Sequence, residues 1–88
     1  MSWACSLSHR AAKALRALPR ERQVQVAEAI DEMGQDPTRG DVRPIKSGTF
    51  RGALRKRVGP YRIVYTVDPK AKVVAIAAIL TRGEGTYR

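Results

Sequence analysis

The stretch RKRVGPYRIVYTVDPKAKVVAIAAIL (residues 55–80) decides the fold, because two turn signals cut it into strand-like segments. Gly59-Pro60 and Asp68-Pro69-Lys70 stand at hairpin distance from each other. They predict strands over roughly residues 50–58, 61–67 and 72–80. In the middle segment Tyr61, Ile63, Tyr65 and Val67 share one face, and Arg62, Val64 and Thr66 share the other. The last segment, VVAIAAIL, is apolar on both faces, so it predicts a strand that is central or covered on both sides.

Upstream of this stretch the pattern changes to a helical period. Residues 3–7 suit a short edge strand. Ser8 is placed to cap a helix through HRAAKALRAL, where Ala11, Leu15 and Leu18 recur at helical spacing. Pro19 fits the first turn of a second helix, RERQVQVAEAIDEMG. Its apolar stripe is Val26, Ala27, Ile30 and Met33, and Gly34 and Pro37 end it. Residues 36–49, rich in Pro, Gly, Asp and Ser, read as a connecting loop. The predicted class is α+β with the order β-α-α-β-β-β. A helical hairpin should pack on one face of a small, mainly antiparallel four-stranded sheet.

At 88 residues the chain is expected to form one domain over 1–88 with a single modest core. Its apolar fraction, 43%, is too high for a disordered tail. The longest apolar run is too short to span a bilayer as a helix, and the first residues lack a signal-peptide pattern. One cysteine, Cys5, excludes an internal disulfide and a multi-thiolate metal site, so no metal or cofactor is implied. These features favour a cytoplasmic location.

The net charge of +9 is unevenly spread. Residues 1–40 hold six basic and five acidic side chains, whereas residues 41–88 hold eleven basic and three acidic. The second half therefore reads as a surface for a polyanion. Arg55 and Arg57 alternate onto one face, Arg62 lies just across the turn, and Arg82 leaves the last strand five residues before Tyr87. Clustered guanidinium groups call for counter-charge, and phosphate fits their fork geometry. Tyr87 suits stacking on a base or hydrogen bonding to a sugar hydroxyl. Arg51 and Lys56 join Arg55 and Arg57 as candidate RNA contacts, although a regular strand turns Lys56 to the opposite face.

The order R-x-R-V-G-x-Y-R-I-V-Y, then an apolar strand, an arginine and a near-terminal tyrosine, resembles the RelE/ParE toxins of bacterial toxin–antitoxin pairs. The upstream A-x-K-A-L-R-A-L and the helix ending in D-P agree with it, so the resemblance covers essentially the whole chain. It implies the RelE/ParE-like, microbial-RNase-like fold and an antitoxin partner. The RelE-like branch cleaves mRNA in the ribosomal A site, and the ParE-like branch poisons DNA gyrase. Arg62, Arg82 and Tyr87 match the RelE-like catalytic set, and Arg55 and Arg57 match positions that are lysines in well-understood members.

The expectation is therefore a metal-independent endoribonuclease that inhibits translation, with ribosome, mRNA and antitoxin as partners in a hetero-oligomer. The RNA would supply its own nucleophile, the 2′-hydroxyl. Fixed cations aimed at the charge building on the phosphate would lower the barrier, one good donor being worth ~3–4 kcal/mol. Arg62 is the expected donor, Arg82 stabilises the same charge or the leaving 5′-oxygen, and Tyr87 orients the hydroxyl or stacks on a base. Arginine and tyrosine are poor proton acceptors near neutral pH, so the isolated protein should be a slow nuclease that depends on the ribosome. Two alternatives stay open: a ParE-like gyrase inhibitor and a non-catalytic basic nucleic-acid-binding domain. His9 reads as a surface residue, Glu84 as a reserve base, Tyr61 and Tyr65 as packing residues, and Cys5 as a small buried one.

Overall fold

The structure, a computed structural model, describes residues 2–81. The elements are β1 (Ala4–Leu7), α1 (His9–Ala17), α2 (Arg20–Met33), β2 (Val42–Pro44), β3 (Leu54–Val58), β4 (Tyr61–Asp68) and β5 (Val73–Thr81). They form one five-stranded sheet in the order β1-β5-β4-β3-β2. Strand β1 runs parallel to β5 and the other pairings are antiparallel. The α+β class and the helical pair on one face are as the sequence predicts.

The sheet has one strand more than expected. β2 lies inside the segment read as loop, and it pairs Val42, Arg43 and Pro44 with Lys56, Arg55 and Leu54. Three residues are too few to show a period, and Pro44 argues against a strand by composition. An edge strand tolerates proline, because the missing N–H need not serve the ladder. For the same region, β3 begins at Leu54 rather than near residue 50, since residues 49–52 form turns.

Ser8 sets the start of α1. Its Oγ accepts from the Ala11 N–H at 3.0 Å and donates to the Ala77 carbonyl at 2.7 Å. Ala77 is the extra residue of a bulge, because Val64 pairs with Ala78 while Tyr65 pairs with Ile76. The Ser8 hydroxyl thus caps a helix and occupies a carbonyl at the point where the β5 register breaks. The bulge also aims Ile76 and Ile79 at the same side, toward the helices.

The main core lies between helices and sheet. Ala11, Val26, Ile30 and Met33 meet Ile63, Tyr65, Val74 and Ile76, all nearly free of solvent. Burying each of the larger aliphatic side chains contributes ~1.5–3 kcal/mol. Ala27, expected in the α2 stripe, is exposed, and Ala29 packs on the core instead. A second, smaller core covers part of the other face. The segment 45–53 folds over β4 and β5, bringing Ile45, Ala53 and Phe50 onto Val64, Ala78 and Leu80. The Arg10 guanidinium of α1 sits 5.4 Å from the centre of the Phe50 ring and holds that segment from the side. This double coverage explains why β5 is apolar on both faces.

The β3–β4 hairpin closes through Gly59-Pro60, with Val58 paired to Tyr61. Gly59 has φ +55°, and proline fixes a negative φ at the next position, which defines a type II′ turn. A Cβ on Gly59 would also lie 3.0 Å from the Gln25 side-chain nitrogen. Gly59→Ala is expected to destabilise the fold by ~1–2 kcal/mol, read as a lower urea midpoint at unchanged slope. An unshifted midpoint would contradict this account of the turn.

Candidate nucleic-acid interface

The face of the sheet away from the helices gathers the cations. In antiparallel pairs, residues directly opposite share a face. Arg57 stands opposite Arg62, which stands opposite Leu80. In the next row Arg43 stands opposite Arg55, which stands opposite Val64. Arg43, Arg55, Arg57 and Arg62 therefore form a contiguous cluster beside the small core under segment 45–53. Arg55 and Arg57, which the sequence puts on one face of their strand, share that face with Arg62.

Like charges directly across a sheet are destabilising. Two such cation pairs side by side in one small sheet are not arranged for stability. Moreover, Arg55 Nη1 and Arg62 Nη1 are shielded from solvent without a hydrogen-bond partner among the described residues. The Arg55 side chain is only 19% exposed. Buried donors normally find a partner, and one that the protein leaves unfilled is open to a water or to a ligand. A planar guanidinium with a free fork is suited to phosphate oxygens.

Among the described residues, one carboxylate enters this cluster. Asp41 Oδ1 lies 3.7 Å from Arg55 Nη1 and 3.8 Å from Arg43 Nε. Its backbone carbonyl accepts from the Arg57 N–H at 3.0 Å, which fixes Asp41 to the end of the ladder. Sequence reasoning missed both Asp41 and Arg43, since both fell in the segment read as loop. The signal that could have found them is the alternation of Asp41 and Arg43, two residues apart as on one face of a strand.

Lys56 is corrected. It is not on the interface but under the helical layer, 5% exposed, where its Nζ donates to Glu32 Oε1 and to the Arg39 carbonyl, both at 3.0 Å. Its hydrogen bond and then its charge hold the Glu32 carboxyl below the usual carboxylate range. The folded pKa of Glu32 therefore lies below its unfolded value. The pair stabilises fully above the unfolded pKa, about 4.3, and the contribution fades as pH falls through the folded pKa. Lys56→Met fills similar space without charge. It is expected to leave nucleic-acid binding unchanged and to remove that part of the acid sensitivity. Urea titrations at pH 7 and pH 3.5 beside a binding assay check both.

Arg51 is exposed on the turn of segment 45–53, outside the strand ladder. Arg82, Tyr87 and Glu84 lie outside the described residues. His9 is exposed in the first turn of α1. Tyr61 and Tyr65 pack in the main core, on the side opposite the cations. Cys5 is partly buried, its Sγ donating to the Ile30 carbonyl at 3.6 Å, and burial followed by the Asp31 charge pushes its thiol pKa up.

This topology is that of the RelE-type toxins. The chain superimposes on the toxin fold in the Mycobacterium tuberculosis RelBE2 toxin–antitoxin complex with a TM-score of 0.79 at 24% identity, covering 93% of this chain and 100% of that one. The archaeal RelE–RelB complex from Pyrococcus horikoshii OT3 gives 0.79 at 29% identity, covering 97% and 100%. The isolated RelE toxin of E. coli gives 0.75 at 17% identity, covering 96% and 88%. The family model of the ParE toxin of type II toxin–antitoxin systems, parDE, matches residues 6–85. No curated protein matches the chain in sequence. The chain belongs to the RelE/ParE family of type II toxin–antitoxin toxins.

Proposed function

We propose that this toxin is a ribosome-dependent mRNA endonuclease of the RelE-like kind, acting in the cytoplasm and neutralised by a cognate antitoxin. The observation that carries the reading is the pair of shielded guanidinium nitrogens without a hydrogen bond among the described residues, Arg55 Nη1 and Arg62 Nη1, on one face beside Arg57. A surface that only needed positive charge would leave its cations solvated. Here two of them are partly desolvated, which suits stabilisation of charge that develops during a reaction.

In the proposed mechanism a phosphate of the mRNA lies against Arg62, with Arg55 and Arg57 holding the strand. The neighbouring 2′-oxygen attacks phosphorus, the bond to the 5′-oxygen breaks, and a 2′,3′-cyclic phosphate and a 5′-hydroxyl result. Arg62 stabilises the phosphoryl oxygens. Arg82 serves the leaving oxygen and Tyr87 stacks on a base, as the resemblance implies. The ribosome presents the RNA in the bent conformation that this in-line attack requires. The antitoxin partner is supported by the solved complexes of similar toxins with their antitoxins. The cationic face gives an acidic segment a place to bind.

The match to the ParE model favours a second reading, gyrase inhibition on the same fold. Brief induction followed by mapping of mRNA 5′ ends separates the two. New ends within translated codons are expected from the nuclease. Continued translation with gyrase-linked DNA breaks would overturn the nuclease reading in favour of the other.

A further inference from the structure

Among the described residues, the cationic face carries one carboxylate whose acceptor positions its neighbours leave unfilled. Asp41 sits among Arg43, Arg55 and Arg57, yet both of its ion pairs are longer than a hydrogen bond, at 3.7 and 3.8 Å. The Asp41 carboxylate accepts no side-chain or backbone hydrogen bond among the described residues, and its side chain is 46% exposed. Its acceptor positions are open, just as the donors of Arg55 and Arg62 are open. The face thus offers phosphate donors and, beside them, one anionic acceptor. That set is complementary to a hydroxyl adjacent to a phosphate.

We propose that Asp41 reads the ribose 2′-hydroxyl of the bound RNA and takes its proton. The proposal rests on the nuclease reading above and deepens it. The 2′-O–H proton passes to Asp41 Oδ as the 2′-oxygen forms its bond to phosphorus. The electron pair of the breaking P–O bond stays on the 5′-oxygen, which takes a proton from water, and Asp41 returns its own to solvent. A carboxylate fills the role that guanidinium and phenol groups fill poorly near neutral pH. Arg55 and Arg43, on either side, keep the carboxylate on the face without spending its lone pairs. DNA lacks the hydroxyl, so the same contact makes the site selective for RNA.

The test separates recognition from charge. Binding of an oligouridylate and of its 2′-deoxy counterpart is measured at low salt for the wild type and Asp41→Ala. Removing a negative charge tightens both equally, so only the ratio matters. The wild type is expected to prefer the ribo-oligomer about ten-fold, and Asp41→Ala to lose that preference. In ribosome complexes, Asp41→Asn is expected to slow mRNA cleavage by roughly 10²–10³-fold with ribosome binding retained, and Asp41→Glu to recover part of the rate. An unchanged ratio in Asp41→Ala, or wild-type cleavage by Asp41→Asn, overturns the proposal. Intact mRNA in the wild-type ribosome complex would instead overturn the nuclease reading and the proton transfer with it. The binding ratio would then decide the recognition on its own.

Discussion

Alanine at Arg62 is expected to abolish growth arrest on induction and to slow cleavage of ribosome-bound mRNA by about 10²–10³-fold, the usual effect of removing one donor to a developing oxyanion. The fold should survive the change. Arg62 Nη1 holds no hydrogen bond among the described residues, and the guanidinium faces Arg57 directly across the ladder. Its removal relieves a like-charge contact and sacrifices only the packing of its stem near Leu80. The thermal midpoint should therefore hold steady or rise while activity disappears. A residue kept for stability would show the reverse pattern. Arg62→Lys sharpens the test, because it keeps the charge but loses the planar fork. Intermediate cleavage is expected from it. Full arrest by Arg62→Ala, with mRNA ends still appearing inside codons, would remove Arg62 from the chemistry.

The strands that could be read from sequence were those long enough to display a period. In residues 61–68 the alternation of Tyr61, Ile63 and Tyr65 against Arg62 and Val64 runs uninterrupted, and it correctly put the arginine opposite the core. β2 was invisible because three residues carry no period and its proline points away from a strand by composition. Asp41 and Arg43 were lost with it. The ladder from β2 to β3, not the local sequence, brings them to the site.

Charge asymmetry between the halves pointed to a polyanion surface, yet it could not assign each cation to a face. Lys56 is turned inward onto Glu32. Lys72 lies in the turn before β5, with its Nζ 4.8 Å from the centre of the Trp3 ring. Strand register decides which charges gather, and register depends on partners distant in sequence.

Tyr65 is the second position where a small change should have a large effect. It is fully buried among the main-core residues, and its hydroxyl donates to the carbonyl of Pro37, itself buried after the end of α2. One side chain of the sheet thereby holds the chain leaving the helical layer. Tyr65→Phe keeps the ring but strands the Pro37 carbonyl away from water, so a loss of ~1–3 kcal/mol is expected. For a domain of this size that is a fall of several degrees in the thermal midpoint, roughly 4–8 °C per kcal/mol. Burial, and then the nearby Asp36 charge, push the Tyr65 pKa from 10.0 up to about 12. The folded value exceeds the unfolded one, so this contribution is full below pH 10 and is lost as pH rises toward about 12. The stability gap between wild type and Tyr65→Phe should accordingly narrow over that interval. Urea titrations of both proteins at pH 7, 9.5 and 11 measure it. A gap that stays constant would mean that the hydroxyl is not held where the structure puts it.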